Sequence, residues 1–483
     1  MYILCMYSTS GLCMIYEPKH LKIMDSPNYA KAFETILREC VSADDSTDIT
    51  VIYDEYFEKY FPAFSEVVNR NSYEVTYIFM PDSYQAVLQN NNQFYNDNEI
   101  QLPKGVKAAI NRSAIVLNFL TGSSKSSKVR GAVLTYIKAN GCKVIHCPHI
   151  SDEVLDLILI SSFDQVHSAC ELVAWALGNS ELLTVKTTGP KGEKLELNIK
   201  LDRWGNDPFI SSGIIPENSW GNVTPGEAFC CPKLSNVNGS ICINGSVPGY
   251  IFNQDEYLLL TFTKGKITYW ETNSGSRIGR YFNSLISNAE KLNDQHWDSF
   301  AEFGIGLNPK IKSLTGNALF DEKMAGTIHI AIGDNLVFGH QIQSHIHEDM
   351  IITNATVLFD QKVVIDKGKL KKAVLKEWRE EFVPAMLDIA EGIIISFKQA
   401  KVHFEDNKVK RKLNKGNRVG YLDIFKNSKQ HKQATVLKEF FGDDDLDHIS
   451  WADLIKKTKK HLDIGALRHV IEIFHHYKMV SLK

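Results

Sequence analysis

The chain has 483 residues, longer than the roughly 100 to 200 of one ordinary domain, so several domains and a sizeable buried core are expected. Hydrophobic residues make up 44% and charged residues 23%, which excludes disorder over the whole length, and a formal net charge of -3 excludes a global pull toward nucleic acid or an anionic membrane. No run of about 18 uninterrupted apolar residues exists, so no membrane span is expected. The nine cysteines show no Cys-x-x-Cys spacing and are odd in number, which argues against a disulfide framework. The first 16 residues carry no charged side chain and lack the basic start of a signal peptide. A reducing, cytoplasmic location is the expectation.

Residues 1–44 read as a leader. The β-branched run Asp48–Asp54, an amphipathic stretch through Val68 and a second run Tyr73–Phe79 form a strand-helix-strand unit, the mark of a parallel sheet. The pattern recurs in Ser113–Phe119, a helical run and Cys142–His146, so residues 45–180 are expected to form an open α/β domain closed by one helix over Asp152–Gly178. The Thr121–Ser127 loop lies where such sheets often bind ligands, yet it has no GxGxxG or Walker pattern and reads as a solvated crossover.

From Leu183 the texture changes to short strands broken by Gly, Asn and Pro: Leu183–Thr188, Leu195–Ile199, Ser240–Asn244 and Tyr257–Thr263. Residues 181–370 are therefore expected to form a β-rich α+β domain, and residues 371–483 a helical extension. The basic run Lys408–Lys415 and the acidic run Gly442–Asp447 in that extension read as solvated faces.

The informative residues lie in the β-rich part. Ser344–Thr353 looks like a strand, on which His345, His347 and Asp349 share one face, and a His and an Asp so placed can both reach one cation at about 2.0 to 2.2 Å. Taken singly, such a pair is more often a polar surface feature. In Ala325–Gly333, Thr327, His329 and Ala331 share a face opposite Ile328, Ile330 and Ile332. A lone His on such a strand is more often a hydrogen-bonded core residue. Glu302 opens Glu-Phe-Gly-Ile-Gly-Leu-Asn-Pro, whose glycines and Asn-Pro turn would let the backbone bend close to a ligand. Glu227 stands at a similar turn, where an exposed glutamate is the plainer reading.

Together, Asn222–Phe229, Ala301–Pro309, Asp321–Gly333 and His347-Glu-Asp349 resemble the thermophilic metallo-aminopeptidase family, over roughly residues 45–370. The resemblance implies a two-metal hydrolase, with zinc, cobalt or manganese on Glu227, Glu302, His329, His347 and Asp349. Two ions about 3.5 to 4 Å apart need a bridging carboxylate. Glu302 is the choice for it. Glu322 is placed as a proton shuttle or an orienter of the ligands. The resemblance further implies a peptide or small amide substrate and a homodimer. One departure stands out: after His329 the chain reads Gly333-Asp-Asn-Leu-Val-Phe, without the tyrosine of the better-known branch, so a phenol that could stabilise a tetrahedral oxyanion is missing. His340 or His345 is the available substitute.

A related branch, similar to dihydroxypyridine ring-cleaving dioxygenases, holds one ferrous ion with two histidines and one carboxylate. There the position matching Glu302 is a histidine. This chain keeps the hydrolase-type residues at Glu227, Glu302 and His329, which ranks hydrolysis first, ahead of iron-dependent ring cleavage and of a non-catalytic peptide- or metal-binding module.

Overall fold

The computed structural model describes residues 27–378, apart from 91–94, 97–98, 122–126, 141, 149, 202–207, 216–218 and 339, together with three short strands nearer the N-terminus, Tyr2–Ile3, Met6–Tyr7 and Cys13–Met14. The chain divides into two compact units. The first comprises Met1–Phe163 and Ser212–Pro225, and the second the remainder. The expected helical extension lies outside the described residues beyond 378, as do both of its charge runs.

In the first unit, strands β1 (Asp48–Tyr53), β2 (Glu74–Phe79), β3 (Ile115–Phe119) and β4 (Lys143–His146) form a sheet in the order Tyr2–Ile3, β2, β1, β3, β4, Trp220–Gly221. Every pairing is parallel. β3 and β4 are buried at every position and β1 at all but its first, as a parallel sheet covered on both faces requires. Alternation along the strands feeds two cores: Ile49, Val51 and Leu117 pack with Phe57 and Phe64 on one face, and Ile52, Val116 and Val144 pack with Val106 and Val133 on the other. Part of the expected leader belongs to the first of these cores, since Phe33, Ile36 and Leu37 are fully buried in it. The helix expected over Asp152–Gly178 is two helices, Asp152–Ile160 and Phe163–Asn179, because Ser161 leaves the helical region at φ -81, ψ 141.

Among the described residues, the second unit holds two large antiparallel sheets and a two-stranded pair, Ser246–Val247 with Tyr250–Ile251. The strands of the large sheets are β5 (Leu182–Thr188), β6 (Lys194–Lys200), β7 (Phe209–Ser211), β8 (Glu227–Cys230), β9 (Val237–Ile243), β10 (Leu258–Thr263), β11 (Lys266–Thr272), β12 (Phe300–Gly306), β13 (Ile328–Gly333), β14 (His347–Ile352), β15 (Thr356–Phe359), β16 (Lys362–Asp366) and β17 (Lys369–Leu370). The larger sheet runs β11-β10-β9-β6-β5-β15-β16-β17 and the smaller β7-β8-β12-β13-β14. Val185, Leu197 and Ile241 from the first and Phe303, Ile305, Ile330 and Ile352 from the second join one apolar core, which leaves the other face of the five-stranded sheet for polar side chains. Trp378, in the helical turn 372–378, packs edge-on to Phe359 at 5.5 Å between ring centroids.

Candidate metal centre

Period-two alternation puts the chemistry-bearing residues on the polar face of the five-stranded sheet. Ile328, Ile330 and Ile332 of β13 enter the core, so His329 and Ala331 face away from it. The register then sets small residues opposite functional ones: Glu227 pairs with Gly306, His329 with Gly304, Asp349 with Ala331 and His347 with Gly333. Each large polar side chain therefore has open space across the strand. At Gly304 the need is strict, because a Cβ there would lie 2.1 Å from Cε1 of His329 and 2.3 Å from its Nε2. The run from Glu302 to Gly306, read from sequence as a bend, is strand, and its glycines serve the side chains of β13.

Glu302 reaches the polar face through a bulge. Phe300 pairs with Ile332 and Glu302 with Ala331, so one extra residue, Ala301, is inserted in β12. In a regular strand Phe300 and Glu302, two apart, would face the same side. With the bulge, Phe300 lies in the core and Glu302 beside His329.

The structure brings all six predicted site residues together, in two adjoining groups. Glu302, His347 and Asp349 offer donor atoms within 4.8 Å of one another, and so do Glu227, Glu322 and His329. Glu302 lies between two imidazoles: Oε1 is 3.0 Å from Nε2 of His329 and Oε2 is 3.6 Å from Nε2 of His347. His347 Nε2 is also 3.4 Å from Oδ1 of Asp349. The tautomer of His347 is fixed, since Nδ1 donates to the Asp334 carbonyl at 2.6 Å and turns Nε2 to the centre, the arrangement found behind metal-binding imidazoles. The first group is the accessible one, with side-chain exposures of 27% for His347 and 17% for Asp349 against 6% or less for Glu227, Glu322 and His329.

Lys323, which sequence reasoning passed over as a neighbour of Glu322, lies inside the second group. Its fully buried ammonium donates to Oε1 of Glu227 and to Oε1 of Glu322. Asp321 is equally buried and is spent on structure, accepting from Thr315 N, Thr315 Oγ1, Gly316 N and Ser246 Oγ at 2.6 to 2.9 Å. It pins the turn that presents Glu322 and Lys323. Two buried polar atoms of the second group, Oε2 of Glu227 and Nδ1 of His329, have no hydrogen-bond partner among the described residues.

Burial and crowding of like charges perturb these groups strongly. Burial, then repulsion from Glu227, pushes the Glu322 carboxyl up to about 8 despite Lys323. Burial would lower the Lys323 ammonium, but Glu227 and Glu322 outweigh it and hold it well above its usual range. Burial likewise opposes the charged imidazoles, and the carboxylates win: His329 rises to about 9 through Glu302 and Glu227, and His347 to about 10 through Asp349 and Glu302. Asp349 falls to about 2, its burial outweighed by His347. Glu302 is raised, burial exceeding the help of His329.

One expectation is corrected. His345 precedes β14, which begins at His347; it is exposed, its backbone N–H is bonded to Asp294, and it belongs to neither group. In the stretch lacking a tyrosine, the 3-10 turn Leu336–Phe338 sets the Phe338 ring edge-on to His347 at 5.7 Å, so an apolar edge flanks the imidazole. Glu348, between His347 and Asp349, points to the Tyr281 hydroxyl on helix Arg277–Lys291 and takes no part in either group.

No family model matches this chain, nor does any curated protein. Solved structures do resemble it. A 2,5-dihydroxypyridine dioxygenase from Pseudomonas putida KT2440 aligns with a TM-score of 0.56 at 17% identity, over 72% of this chain and 98% of that one. Wild-type AmpT from Thermus thermophilus aligns with a TM-score of 0.50 at 14% identity, over 71% of this chain and 98% of that one. At these identities the likeness is one of fold. Among the described residues no single helix is long and apolar enough to cross a membrane.

Proposed function

We propose that the chain is a metal-dependent hydrolase of the aminopeptidase type, acting as a homodimer on a peptide or small amide with a free amine. The observation that carries this reading is the accessible group of Glu302, His347 and Asp349, with Nε2 of His347 held toward two carboxylates. The residues fit a metal. One imidazole and two carboxylates make a donor set suited to zinc, cobalt or manganese. A divalent ion held there supplies Lewis-acid polarisation of the scissile carbonyl and acidifies water near neutrality.

The chain's own groups do the rest. Glu322, whose carboxyl is pushed up to about 8, is the group that passes a proton to the departing amine in this reading. Asp349 stays ionised across the neutral range and is a counter-ion for the substrate's α-ammonium. With Phe338 beside His347 and no phenol in that stretch, oxyanion stabilisation is weak, so amides with good leaving groups are expected to be cleaved faster than plain peptides.

One observation favours a second reading. Lys323 fills part of the second group, and a single-ion centre is what an iron-dependent ring-cleaving dioxygenase would need. That chemistry is best served by two imidazoles and one carboxylate, whereas Glu302 makes the accessible group acid-rich. Metal analysis of protein purified without chelator, followed by a panel of unblocked dipeptides and amino-acid amides, decides between them. Release of free amino acid by zinc-, cobalt- or manganese-loaded protein is the expected result. Iron with oxygen uptake on a dihydroxylated pyridine ring would move the assignment to the dioxygenase, and no turnover of either class would leave a binding module.

A further inference from the structure

We infer that the Lys323 ammonium occupies the place of a second metal ion, so that this centre takes one divalent ion per chain, on Glu302, His347 and Asp349. The inference deepens the reading above and rests on it. Glu227 and Glu322 are the two carboxylates of the second group, and the same nitrogen holds an oxygen of each. The third member, His329, turns its Nε2 toward Glu302 at 3.0 Å and is farther, 3.7 Å, from Glu227. The group is thus already neutralised by a cation the chain carries itself.

The lysine is not free to swing out. Its backbone carbonyl accepts from Leu307 N at 3.1 Å and from Asn308 N at 2.8 Å, which ties it to the end of β12, and the preceding residue but one, Asp321, is anchored by four hydrogen bonds. Its side chain is wholly buried, so leaving would strand two buried carboxylates. A divalent ion entering beside it would meet a like charge at close range in a site shielded from water. The ion count implied by the sequence motifs and the geometry of the second group therefore disagree, and the geometry is specific about the cause: a one-residue substitution of ammonium for metal.

The test is metal stoichiometry of the full chain, stripped with chelator, reloaded with zinc and read by elemental analysis and calorimetry. Wild type is expected to bind one ion per chain and folded Lys323→Met two. Two ions on wild type, or one on folded Lys323→Met, would overturn the inference. No ion on wild type would instead overturn the metal-centre reading beneath it. Should Lys323→Met fail to fold, Glu227→Gln carries the decision: it is expected to hold its single zinc within about threefold of wild-type affinity, and a tenfold or greater loss, RT ln 10 or about 1.4 kcal/mol, would sink the proposal.

Discussion

His347 and Asp349 were legible as a pair because strand geometry alone puts alternate residues on one face, and a nitrogen and a carboxylate two apart suit one ion. The same rule over-reached at His345, because a period says which residues share a face but not where the strand begins. His347→Ala and Asp349→Asn are expected to weaken zinc binding by more than the roughly 10- to 100-fold that loss of an outer partner costs, while His345→Ala leaves it unchanged. Competition with a chelator of known affinity measures all three, and equal losses would show the wrong ligands were chosen. Lys323 was not legible, because a lysine next to a glutamate is commonplace and only the fold brings it to Glu227, distant in sequence. Gly304 yields a second residue-level prediction. Gly304→Ala should destabilise the protein by about 1 to 3 kcal/mol through overpacking and also weaken zinc binding, since the new methyl displaces His329, which braces Glu302. A melt lowered with metal affinity intact would mean that the ring had simply moved aside without consequence.

Among the elements, the parallel strands were readable from β-branched runs to within a residue or two at their ends, whereas Ser240–Asn244, Ala325–Gly333 and Ser344–Thr353 each start three residues away from the observed strand. What escaped were features that depend on a partner. The bulge at Ala301 exists only relative to β13, so no single-strand pattern announces it, yet it decides that Glu302 faces the site. Deleting Ala301 makes Phe300 and Glu302 sequence neighbours, which a regular strand sets on opposite faces, so the core phenylalanine and the site carboxylate should both keep their places. Retained zinc binding with a cooperative melt is the expected outcome, and loss of metal from the folded deletion variant would refute the phase argument. The break at Ser161 escaped because the apolar period continues on both sides of it.

For the whole molecule, two classes of sheet were evident in the sequence, but the return of Ser212–Pro225 to the first unit was not, since its strand is the two-residue Trp220–Gly221. At this scale pH is the informative variable. His329 and His347 are raised to about 9 and 10, so the stability that their protonated forms lend the metal-free protein is complete below the usual imidazole value near 6.5 and is lost as pH climbs through those folded values. Glu322 adds to the decline, its burial opposing ionisation between about 4.5 and 8. Asp349 acts at the other end, where its contribution disappears as pH falls from about 3.8 through 2. Chelated protein should therefore melt lower at pH 10 than at pH 7, and zinc should reverse the trend, because deprotonated imidazoles are what an ion requires. A flat chelated profile over that interval would contradict the assigned proton positions. The ordering of β8, β12, β13 and β14 in one sheet also bears on how the protein is made. Glu227 and Asp349 are far apart along the chain and meet only after three non-local strand pairings have closed, so the donors form late in folding and an ion cannot template the steps before. Metal supplied during refolding would meet scattered histidines and acids first, which makes loading after folding the productive order of assembly.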